Sequence, residues 1–195
     1  MSEITKKKIL ESALKLFSQK GYLGATTKEI AKEAKIAEVT LFRYFSSKET
    51  LFEEVINTYS FLPKLKEILE NVKDTSYEKA LKVIAYEFIK LLESKKDLVR
   101  IMHSEMQRYP EKIKKIYENV IDNILKLLSE YFDNLQKRGI LRNFNSNLAA
   151  RAFLGMFFSY FYAKEIKECL NIQKNDLNEV IDSYVDIFIK GTLKI

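Results

Sequence analysis

Two prolines and five glycines in 195 residues leave this chain little with which to turn sharply. Sheet folds joined by tight hairpins draw on glycine and proline at their corners. A chain so short of both, whose apolar residues recur three and four positions apart, is expected to form helices joined by short connections. Hydrophobic residues at 47% and charged residues at 31% suit an ordinary soluble all-α protein. No apolar run approaches the roughly 20 residues of a membrane-spanning helix. The N-terminus, Met1 to Lys8, reads as a charged helix start with no signal-peptide core behind it. One cysteine, Cys169, makes no intramolecular disulfide, and a reduced cytoplasm is the expected location.

The charge is unevenly spread. Of a net +6, residues 1–52 carry 10 lysines and arginines against 6 acidic residues, and residues 53–195 carry 23 against 21. A basic first quarter on a nearly neutral body suggests a polyanionic partner, or else a solvated Lys/Glu-rich surface.

Local signals divide that basic segment. Ile9, Ala13, Leu16 and Phe17 form one apolar stripe of a helix over about Thr5–Lys20. Gly21 stands where a left-handed cap is wanted. Thr26-Thr27-Lys28-Glu29 is a capping box that opens a short helix through Ala34, burying Ile30, Ala31 and Ala34. After Lys35-Ile36-Ala37 a second short helix runs from Glu38 to Phe45. Ser46-Ser47-Lys48-Glu49 then opens a fourth, with Leu51, Phe52, Val55 and Ile56 inward and Pro63 interrupting or kinking it near its end. Further helices are expected over 76–94, 97–108, 111–138, 147–169 and 176–190, with Gly139 as a stop.

Two short helices across a tight turn, braced by a longer one, meet the requirement of a helix-turn-helix. At 100° per residue, Leu41 and Phe45 share one face of the second short helix, and Val39 and Arg43 lie almost opposite. The apolar pair docks inward. The outward pair suits a major groove, Arg43 donating to guanine O6 and N7 and Val39 touching a thymine methyl. Thr40 and Tyr44 carry hydroxyls on the flanks, and Lys48 brings charge to the next helix start, all placed for phosphate. Glu38 either accepts from a cytosine amino group or points to solvent.

Residues 5–52 resemble the N-terminal domain of the tetracycline-repressor (TetR) family of bacterial regulators. The matching run is Ile9-Leu10 to Phe17, Gly21-Tyr22, Ala25-Thr26-Thr27, Ile30-Ala31, Thr40 to Phe45 and Ser47 to Leu51. The resemblance implies operator-DNA contacts from Thr27, Lys28, Thr40, Arg43, Tyr44 and Lys48. Three positions depart from the pattern. Lys35 replaces a turn glycine, Ala37 a capping serine, and Phe42 a tyrosine whose hydroxyl often reaches phosphate.

Beyond residue 52 lie 18 of the 24 Phe and Tyr residues. Phe153 to Tyr162 is apolar or aromatic nearly all round, with Gly155 allowing another backbone to approach, and Val180 to Ile189 is apolar over a wide arc. The resemblance implies that the last two helices pair with those of a second subunit in a four-helix bundle. A homodimer then sets two recognition helices about one DNA turn, roughly 34 Å, apart on a pseudo-palindromic operator. It further implies an effector pocket among the middle helices. Candidates are Tyr86, His103, Met106, Tyr117, Phe153, Phe157 and Tyr160, with Glu105 as a polar anchor. Such side chains suit a large apolar or planar ligand, a cation included. An aromatic stripe at this spacing is more often the mark of a packed core than of a pocket.

The expected division is a DNA-binding domain over 1–52 and an effector-binding and dimerisation domain over 53–195. An enzyme is disfavoured: His103 and Cys169 stand 66 positions apart, and no Glu-x-x-His occurs. No metal or cofactor is implied. The alternative is an architectural DNA binder or helical adaptor without effector control.

Overall fold

In the computed structural model, which describes residues 2–166 and 176–194, every regular element is helical. The chain forms two units, one of Met1–Ser60 with Lys95–Val120, the other of Phe61–Ser94 with Ile121–Ile195.

The first unit is organised on α1 (Glu3–Gly24), whose Ile9, Ala13, Leu16 and Phe17 are buried as the stripe predicts. Gly21 does not end this helix as a left-handed cap. It breaks it, with φ 69° and ψ 175°, and Tyr22–Gly24 add one more turn. That backbone region is open essentially to glycine alone. Helix α2 (Thr27–Glu33) begins on the expected capping box. The Thr26 hydroxyl accepts from the Glu29 amide at 3.2 Å, and the Glu29 carboxylate accepts from the Thr26 amide at 3.1 Å. Lys20 also bonds Glu29, at 2.6 Å, and together with Thr26 it holds the Glu29 carboxyl down to about 2.

Lys35, at φ 57°, makes the left-handed turn into α3 (Glu38–Tyr44). Ser47 caps α4 (Lys48–Tyr59), accepting from the Thr50 amide at 3.1 Å. Ile30, Ala31, Leu41, Phe45, Leu51, Phe52, Val55 and Ile56 are all buried. Helix α7 (Lys96–Glu105) packs along α1 and ends in a 3-10 turn, Met106–Arg108, where a continuous helix to 108 is predicted.

Pro63 does not kink the fourth helix. Helix α4 stops at Tyr59, Ser60 is extended at ψ 176°, and a separate α5 (Phe61–Asn71) follows in the second unit. Pro63 falls in the first turn of α5, where the missing N–H has no partner to lose.

In that unit α6 (Tyr77–Ser94) packs against α5, α9 (Ser146–Phe161) and α10 (Leu177–Thr192). Helix α8 (Glu111–Lys137) contributes its residues from Ile121 onward. Gly139, at φ 73°, stops α8 as expected: its amide bonds the Gln136 carbonyl at 2.9 Å, and the Ile140 amide that of Leu135 at 3.0 Å. Helix α9 passes into a π-helical turn, Tyr162–Ile166. The rest of the helix predicted to 169, with Cys169, lies outside the described residues.

Gly21→Ala is expected to cost about 1–3 kcal/mol, because the new Cβ meets both a forbidden φ and the Glu105 carboxylate. Lys35→Gly should instead gain up to about 1 kcal/mol by relieving left-handed strain. Urea unfolding at equal m-values measures both, and unmoved midpoints would show that neither position is strained.

Candidate nucleic-acid interface

Helix α3 divides as its periodicity dictates. Leu41 and Phe45 are buried against the other helices of the first unit, while Val39 is 69% exposed and Arg43 is open to solvent. Phe42 is also exposed, at 45%, on the arc between Glu38 and Val39. Val39, Phe42 and Arg43 thus form an outward face with an apolar half and a cationic half.

The flanking hydroxyls are less free than the sequence suggests. Thr27 Oγ1 donates to Glu38 Oε1 at 2.7 Å. The Tyr44 hydroxyl accepts from the Ser2 amide at 3.0 Å and donates to the Ser2 carbonyl at 3.3 Å. Both Thr27 and Tyr44 are half-buried, as is Thr40, and Lys28 is exposed on α2.

At the start of α4 the Lys48 ammonium stands 4.4 Å from the centroid of the Tyr22 ring. The same tyrosine donates its hydroxyl to Glu49 Oε1 at 2.9 Å. Burial lowers the affinity of the Lys48 amine for its proton. Burial, with Glu49 next, raises that of the Tyr22 hydroxyl. Glu49 is held low by its own backbone N–H, then by Ser47 and Tyr22. Tyr22 enters the sequence argument only as part of a motif. Its place beneath Lys48, 26 positions away, depends on the bend at Gly21, which local spacing does not show.

The candidate effector residues fall in both units. In the first, His103 is exposed, and Met106 and Tyr117 are half-buried, with burial raising the Tyr117 hydroxyl. Glu105 is engaged locally: it accepts from the Tyr109 hydroxyl at 3.1 Å and lies against Gly21. In the second, Phe153 and Phe157 are fully buried with ring centroids 5.1 Å apart. Phe188 stands 5.0 Å from Phe153, and Tyr184 5.6 Å from Phe157. Here the aromatic stripe is packed core. Tyr160 lines an open groove of about 370 Å³ between α9 and α10, with Ser159, Ala163, Glu179, Val180, Ser183 and Tyr184. Tyr86 is 40% exposed, its ring 5.6 Å from the Lys90 ammonium.

The outer face of α9 carries Ala152, Gly155 and Ser159, all exposed, and a Cβ at Gly155 would meet nothing within 4 Å. On α10, Ile187 is 62% exposed. Among the described residues no helix is long and apolar enough to cross a membrane.

Known proteins match along most of the chain. Residues 9–55 match the tetR family of bacterial regulatory proteins, and residues 79–191 match the AefR-like transcriptional repressor C-terminal domain. The chain is 31% identical over 157 residues to the HTH-type transcriptional regulator YvkB of Bacillus subtilis, covering 80% of this chain and 81% of that one. It is 25% identical over 190 residues to IcaR, the negative regulator of the biofilm operon icaADBC in Staphylococcus aureus, covering 95% and 99%. The fold of Bacillus subtilis FadR, solved in complex with stearoyl-CoA, superposes with a TM-score of 0.73 at 18% identity, over 95% of this chain and 98% of that one. Members of this family are regulators rather than enzymes. A sequence that builds a helix-turn-helix with an outward Val39–Arg43 face, and matches the family at both ends, belongs to the TetR family of helix-turn-helix transcriptional regulators.

Proposed function

We propose that this regulator is a repressor that binds a pseudo-palindromic operator as a homodimer and leaves it when a small apolar or aromatic effector binds. The observation that carries the reading is α3, with Leu41 and Phe45 buried and Val39 and Arg43 presented outward. Arg43 reads guanine and Val39 a thymine methyl, while Lys28 and Lys48 take phosphates with Thr40 and Tyr44 beside them. Repression is supported by the repressor-type C-terminal match and by IcaR, a negative regulator. Dimerisation is supported by the small-residue face of α9 and the exposed Ile187 of α10, which a second copy would cover.

The effector residues carried forward are Phe153, Phe157, Tyr160 and Tyr86 of the second unit. Phe153 and Phe157 are already packed, so a ligand must part them. A flexible acyl chain suits such a core. The stearoyl-CoA found with FadR makes long-chain acyl-CoA thioesters the first class to test.

Arg43→Ala should reduce discrimination between operator and random duplex, at a cost of about 1–3 kcal/mol on the operator alone. Lys48→Ala should weaken both duplexes alike and flatten the salt dependence. Equal losses on the two duplexes for Arg43→Ala would refute base reading by this residue.

Gly155→Arg places a long cation on a face open in the single subunit, so the subunit still folds while the pair does not form. Sedimentation should give monomers, with operator affinity falling sharply. A dimer of normal affinity would move the interface elsewhere.

Release by an effector requires reciprocal coupling. Stearoyl-CoA should bind about 5–150-fold more weakly when operator is saturating. Identical affinities with and without operator would exclude release by this class of ligand.

A further inference from the structure

Glu38 is the single acidic residue of α3, and it stands where an acidic residue has a cost. A carboxylate beside a phosphate backbone weakens binding to every sequence, since affinity is dominated by cation–phosphate contacts. Three other carboxylates of this unit pair with lysines, Glu29 with Lys20, Glu33 with Lys15 and Glu54 with Lys6, while Glu49 and Glu105 accept from tyrosine hydroxyls behind the Gly21 bend. Among the described residues no lysine or arginine pairs with Glu38; its partner is a neutral hydroxyl, Thr27 Oγ1, at 2.7 Å. The side chain is half-buried, so it does not simply swing in solvent.

Glu38 Oε1 accepts a hydrogen bond from the Thr27 hydroxyl, which fixes the carboxylate and leaves acceptor capacity on Oε2. Phe42 lies one turn further along the same side of α3, with Val39 beside it, so the carboxylate borders exposed apolar surface. In the major groove, cytosine offers an exocyclic amino donor, thymine a carbonyl acceptor and a methyl, and guanine two acceptors. Adenine sets its amino donor beside N7, an acceptor. A fixed carboxylate with an apolar border therefore accepts from cytosine N4 and is repelled at the same place by thymine O4.

We propose that Glu38 is a specificity-determining residue that selects cytosine in each operator half-site, with Thr27 as its positioning residue. This inference rests on the reading of α3 as the recognition helix. It assigns the Thr27 hydroxyl to Glu38 rather than to a phosphate. It also explains the cost of Glu38, which lowers affinity for random DNA more than for a site with cytosine in register.

The test is selection of binding sites from a randomised duplex pool by the full-length protein, its Glu38→Gln and its Thr27→Val variants, with folding checked by circular dichroism. Affinities are then measured on the selected duplex and on one with the cytosine pair changed to thymine–adenine. The native chain should select a cytosine and lose about tenfold on that change. Glu38→Gln, which can donate as well as accept, should lose most of that discrimination while keeping the guanine read by Arg43. Thr27→Val should weaken the cytosine preference without altering the guanine. Glu38→Gln selecting the native half-site at every position would overturn the proposal and leave the pair as a brace between α2 and α3. A native pool without any enriched half-site would instead overturn sequence-specific reading by α3, and the role of Glu38 with it.

Discussion

Tyr22 reaches its place because Gly21 before it adopts a backbone conformation closed to residues with a Cβ. From there one ring serves several elements of the first unit. It packs at 6.1 Å from Phe17 of α1, 5.1 Å from Phe52 of α4 and 6.1 Å from Tyr109 after α7. Its hydroxyl holds Glu49, and its face lies under Lys48. Its amide faces the Tyr109 hydroxyl at 3.5 Å, and Tyr109 in turn donates to Glu105 beside Gly21. The start of α4, the bend of α1 and the turn after α7 are thereby fixed to each other around a single residue, and α3 is joined to them through α2, which packs on α1.

The second unit solves a different problem with the same residue types. Phe132, Phe153, Phe157 and Phe188 fill the space among α6, α8, α9 and α10, in tilted or edge-to-face pairs. Such pairing adds about 0.5–1.5 kcal/mol per pair beyond area burial, so parting the rings has a real cost. A ligand that enters here exchanges ring–ring contact for ring–ligand contact. Long apolar ligands can make that exchange; small polar ones cannot.

The helix starts within residues 1–60 were legible because their punctuation is local, whereas nothing in the spacing shows that Lys95–Val120 belongs to the same unit. Thr26–Glu29 and Ser47–Thr50 place helix starts through side chains three residues from the amide they bond. Periodicity likewise separated Leu41 and Phe45 from Val39 and Arg43. Pro63 was misread because a proline that kinks a helix and one in the first turn of a new helix look alike when the break, at Ser60, has no glycine. Gly21 reads as a stop by composition, and only tertiary packing shows the extra turn beyond it. The Thr27–Glu38 bond and the Lys48–Tyr22 contact link residues 11 and 26 positions apart. No periodicity announces such pairs. Whether an aromatic helix packs against itself or encloses a cavity depends on volumes contributed by several helices, which one-dimensional spacing does not contain.

The end of α10 is stitched in an unusual way. The last carbonyls of a helix ordinarily lack partners within it. Here the Gly191 carbonyl accepts from Arg142 Nε at 2.6 Å, and that of Thr192 from the Arg142 amide at 3.0 Å. The Lys194 amide bonds the Ile140 carbonyl at 3.2 Å, and the Tyr77 hydroxyl meets that of Thr192 at 3.2 Å. Fraying of this terminus is therefore tied to opening of the connection between α8 and α9 rather than left to the helix alone. These bonds hold the backbone just beyond Ile187 within the single subunit. The proposed association through α10 would therefore give up little backbone entropy, and its cost would fall on translation, rotation and a few side chains.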